Sequence, residues 1–94
     1  MSRAFVNEDA QSDQEPRFVL PDPDDPGFPE AAAWALIEGA DMGFSLAAER
    51  ATGYRWGEPA LIPHVEAILA QAEELGEERL QQLARRFLRN AKKK

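Results

Sequence analysis

With 94 residues, 44% apolar and 30% charged, the chain has the size of one domain and the composition of an ordinary globular protein. It has no cysteine, which removes disulfides and thiolate metal sites, so a small core must rest on regular helix packing or on oligomerisation. A net charge of −6 argues against nucleic-acid binding by the whole surface; with no apolar run of signal-peptide or membrane-span character, a cytoplasmic protein without membrane contact is expected.

Residues 1–27 read as an arm. Ser, Asp, Glu, Gln and Asn dominate residues 7–15, too few apolar groups to offset the entropy of ordering. Pro16, Pro21, Pro23, Pro26 and Pro29 follow. Each fixes its own φ and biases its predecessor toward extended backbone, which predicts a stiff connection. Two apolar clusters interrupt the polarity, Ala4-Phe5-Val6 and Phe18-Val19-Leu20. They suit either a strand-like arm lying on the domain or a peptide that docks on a partner.

The helical domain is expected over 28–94. The first helix starts at Phe28-Pro29-Glu30, with proline in the tolerant first turn and an acid at the positive end. Ala33, Leu36, Ile37 and Ala40 recur at three and four, and Gly39 or Gly43 ends it. A short second helix runs from about Ser45, a candidate N-cap, to Thr52, with Gly53 as its stop. Tyr54-Arg55-Trp56-Gly57 is a turn rich in large side chains. The third helix begins near Glu58-Pro59 and carries the stripe Val65, Ile68, Leu69, Ala72 and Leu75. Gly76 closes it. The fourth begins at Glu77-Glu78 and aligns Leu80, Leu83, Ala84, Phe87, Leu88 and Ala91. One glycine between two amphipathic helices predicts an antiparallel αα-hairpin. The fold expected is therefore all-α: three to four helices ending in this hairpin, behind an extended Pro-rich arm. The broad apolar stripes of helices three and four face an alanine-rich partner layer, so a homodimeric four-helix bundle is one way to cover them.

Chemistry is hard to find. Ser2 and Ser12 lie in the arm, Ser45 serves a helix start, and none has the context of an activated nucleophile. His64 has no second histidine or cysteine to share a metal. Asp22, Asp24, Asp25 and Gly27 imitate the opening of a calcium loop, but Pro26 and Ala33 stand where further ligands are needed. No glycine pattern makes a phosphate loop. A non-enzymatic protein with no cofactor and no metal is expected.

Binding residues are easier to name. Trp34, Tyr54, Arg55 and Trp56 hold residue types enriched at interface hot spots, and Phe5, in the first apolar cluster of the arm, is a further candidate partner contact. Residues 81–94 hold Arg85, Arg86, Arg89, Lys92, Lys93 and Lys94 and no acid. These bases can contact phosphates, but they also complement the helix dipole and the acidic body. The stretch 57–76 contains no Lys or Arg, which makes it a poor recognition helix for DNA. A protein partner therefore ranks ahead of nucleic acid.

Ser2-Arg3-Ala4-Phe5-Val6-Asn7-Glu8, followed by Leu20-Pro21-Asp22-Pro23-Asp24, resembles the opening of bacterial Gre-type factors. That family binds the secondary channel of RNA polymerase and presents acids at the tip of a helical hairpin. The tip expected here reads Glu73-Glu74-Leu75-Gly76-Glu77-Glu78. The resemblance implies a transcription-associated role with RNA polymerase as the partner.

Overall fold

The computed structural model describes residues 18–92. They form four α-helices: α1 (Phe28–Met42), α2 (Ser45–Thr52), α3 (Ile62–Leu75) and α4 (Glu78–Lys92), with a 3-10 turn at Pro59–Leu61 leading into α3. Among the described residues there is no strand. The all-α reading with a C-terminal helical hairpin is what the chain adopts.

Short-range chemistry sets the helix ends. Asp25 accepts the Gly27 N–H through Oδ1 at 2.7 Å, and Asp22 Oδ1 takes the Asp24 N–H at 3.3 Å. These carboxylates therefore shape the turns that launch α1. Gly43, Gly53 and Gly76 follow the last residues of α1, α2 and α3 in left-handed conformation. At the hairpin turn the Glu77 N–H returns to the Ala72 carbonyl at 2.9 Å, the longer bond of a Schellman motif. Gln81 Nε2 donates to the same carbonyl at 3.2 Å, tying the first turn of α4 to the end of α3.

Three local expectations change. Ser45 is the first residue of α2 and not its cap; Phe44 holds that position, without a side-chain cap bond. Of the two glycines that could end α1, Gly43 does and Gly39 does not. Gly39 lies buried within the helix, where an added Cβ would meet Ala48 Cβ at 2.7 Å, so it is the point of closest approach to α2. Leu75, the last residue of α3, leaves the buried stripe and is 61% exposed.

α1 is the middle layer. It packs on α2 and on both helices of the α3–α4 hairpin. Its Leu36 and Ile37 meet Val65 and Ile68 of α3 and Leu83 and Phe87 of α4 in one cluster, all at most 2% exposed. Within the single chain α1 covers most of the hairpin stripes, leaving Leu69 and Leu80 partly buried and Leu75 exposed. Phe18, Trp34, Tyr54, Trp56 and Leu80 seal the edges of this core.

Candidate partner-binding face

The aromatic residues that stand close in sequence divide into two groups in space. Trp56 lies edge-on to Phe87, with ring centroids 4.9 Å apart and planes at 69°. Its backbone N–H donates to Glu49 Oε2 at 2.9 Å. Tyr54 leans on Phe28 at 6.3 Å, and its N–H is held by the Thr52 hydroxyl at 3.1 Å. That hydroxyl donates in turn to the Ala48 carbonyl at 2.9 Å, which satisfies the one buried polar side chain among the described residues. Next, Gly57 at φ +84° brings the chain against Asn90; a Cβ there would sit 3.1 Å from Asn90 Cβ. Tyr54 and Trp56 therefore pack the loop onto α1 and α4. Arg55 alone of that trio is exposed.

Trp34 has a different position. It is half-buried on α1 and walls three neighbouring cavities. None of them touches Tyr54, Arg55 or Trp56. A cavity of about 490 Å³ lies between α1 and the start of α4. Trp34, Ile37, Leu80 and Leu83 give it an apolar floor, and Glu38, Asp41, Glu77 and Glu78 an acidic rim. Arg79 Nε reaches across from α4 to Asp41 Oδ1 at 2.9 Å, so the one base on that rim is engaged. On the other side of Trp34, a cavity of about 450 Å³ is walled by Phe18, Val19, Ala35 and Met42 and shares Glu38 with the first. The third, about 180 Å³, adds His64 and Gln71. The first two share Trp34 and Glu38, so Trp34 stands between them on α1, and together they make up the Trp34 groove.

The signal for this groove was a second stripe on α1. Ala31, Trp34, Ala35, Glu38 and Asp41 recur at three and four beside the core stripe. The other half of the groove is the first turn of α4, more than thirty residues away, which no local pattern connects to α1.

The basic end is arranged otherwise. Arg85 Nη2 pairs with Glu73 at 3.0 Å and Lys92 Nζ with Glu66 at 3.3 Å, both across the hairpin. Arg86 and Arg89 are exposed. Lys93, Lys94 and Phe5 lie outside the described residues. Two of the bases expected for phosphate contact are therefore engaged with α3 acids.

His64 has no histidine, cysteine or carboxylate trio around it: among the described residues no three such groups cluster to hold a metal ion. No helix in the same region is long and apolar enough to cross a membrane. Comparison with known proteins finds no matching family model, curated protein or solved structure.

Proposed function

We propose that this protein is a non-enzymatic interaction module whose binding surface is the Trp34 groove. One observation carries the reading: a tryptophan shared by the walls of two neighbouring cavities, the larger of them lined by Ile37, Leu80 and Leu83 and by the acids Glu38, Asp41, Glu77 and Glu78. Tryptophan anchors are the commonest hot spots, and a concave apolar site rimmed by polar groups is the usual form of a binding site. The partner this chemistry fits is a protein segment that offers a large apolar side chain followed or preceded by a base.

The test is comparative capture. Immobilised wild-type chain and its Trp34→Ala variant are exposed to the same cell extract, and retained proteins are quantified. A partner held by the wild type and depleted about tenfold or more by Trp34→Ala is expected, since losing a buried indole anchor costs at least 1.4 kcal/mol. Equal retention by both chains would remove the groove as the binding surface. Polymerase subunits among the depleted proteins would connect the groove to the Gre-like opening of the sequence; their absence would separate the two.

A further inference from the structure

The groove has a conspicuous candidate occupant within its own chain. Phe18 and Val19 wall the 450 Å³ cavity, and Val19 is 95% exposed there, so the arm leaves the described structure at the groove itself. We propose that the segment Arg3-Ala4-Phe5-Val6 of the same chain is the occupant of the groove, its aromatic residue matching the apolar lining and its base the acidic rim. This rests on the Trp34 face being the binding surface, and it adds the regulation of that face: a partner must displace the arm.

Reach, composition and charge each favour this segment. The residues between Phe5 and Phe18 span up to about 40 Å when extended, whereas the groove along α1 from Ala31 to Asp41 is about 15 Å long. A tether of that length supplies an effective concentration in the millimolar range, so a weak contact is enough to fill the site. Phe5 is the one aromatic residue in 1–17, and Arg3 the one base before Arg17. The rim carries Glu38, Glu77 and Glu78, and no ion pair among the described residues neutralises them. Glu8, Asp9, Asp13 and Glu15 follow Phe5 in the sequence. An acidic rim repels those residues and selects the short cationic, apolar segment before them.

The experiment uses the full chain. It has no cysteine, so Asn7→Cys gives a single attachment point for a nitroxide. The two indole N–H signals, of Trp34 and Trp56, are then read by NMR and assigned with a Trp34→Phe chain. The expected result is strong paramagnetic broadening of Trp34, little of Trp56, and a docked-to-free ratio about tenfold lower when Phe5→Ala is added. Absence of Trp34 broadening overturns the proposal. Spin-labelled chain is also mixed with isotope-labelled chain that lacks the nitroxide. Broadening in that mixture means a second copy supplies the segment, and overturns docking within one chain. Comparative capture separates the two readings. Trp34-dependent capture without broadening removes only the arm. Broadening with Trp34-independent capture shows the arm at the groove but removes the proposed function and, with it, the arm's role in regulating that face. If both stand, Phe5→Ala raises capture by freeing the groove.

Discussion

At the scale of single residues, the same amino-acid type does different work according to what lies opposite its side chain. Trp34 and Trp56 are equivalent in composition, yet Trp56 meets Phe87 and a backbone-fixing carboxylate while Trp34 borders open cavities. Gly39 shows how a residue with a familiar role can hold another. A glycine near the end of an apolar stripe signals a helix stop, but the stop is Gly43, and Gly39 is there because Ala48 leaves no room for a side chain. Gly39→Ala would gain up to about 1 kcal/mol in helix propensity. Against that stand contacts of 2.7 Å to Ala48 Cβ and 3.1 Å to the Phe44 carbonyl, neither of them the end of a flexible side chain. Overpacking of this kind costs about 1–3 kcal/mol, so a net loss of about 1 kcal/mol is expected in urea unfolding. Adding Ala48→Gly restores the space and recovers part of the loss. A Gly39→Ala chain more stable than wild type would show that α1 and α2 separate easily.

At the scale of helices, the hairpin was legible because its signals are local: a stripe at three and four, one glycine, acids before and bases after. Where α1 sends its second face was not legible. Its stripe of alanines reads as weak amphipathicity, and it becomes meaningful only because α2 and the hairpin cover it from two sides. The same limit applied to charge. The acids of the hairpin tip look alike in sequence, but Glu73 pairs with Arg85 whereas Glu77 and Glu78 border the Trp34 groove. Replacing Glu73, Glu74, Glu77 and Glu78 together by Gln breaks one exposed ion pair and relieves repulsion between like charges. Each effect is a few tenths of a kcal/mol, and they oppose one another. The urea midpoint is therefore expected to move by no more than about 0.5 kcal/mol in stability. A loss of several kcal/mol would mean that the tip holds the hairpin together.

For the whole molecule, the decisive question is where the packed unit begins. Composition alone suggests Gly27, because prolines and acids crowd the residues before it. Side-chain packing carries the unit further back. Phe18 lies against the core cluster, its ring 3.4 Å from where a Gly39 side chain would start, and Leu20 and Pro21 are half-buried. An isolated Phe-Val-Leu among polar residues cannot reveal this, since the same cluster also suits a docking peptide. The two boundaries predict different truncations. Removing residues 1–17 leaves Phe18 and the Asp22–Gly27 turns in place, and cooperative unfolding followed by helical circular dichroism is expected to persist with a small loss of stability. Removing residues 1–27 strips the Phe18 ring from the seam between α1 and α2 and deletes the carboxylate-fixed turn that starts α1. Half-burying a phenylalanine and its leucine neighbour is worth about 2 kcal/mol, and losing the turn adds to it. In a unit whose total stability is only about 5 kcal/mol or somewhat more, that difference moves the urea midpoint clearly below that of the shorter truncation. Coincident unfolding curves for the two truncated chains would return the boundary to Gly27 and make Phe18 a passenger on the surface.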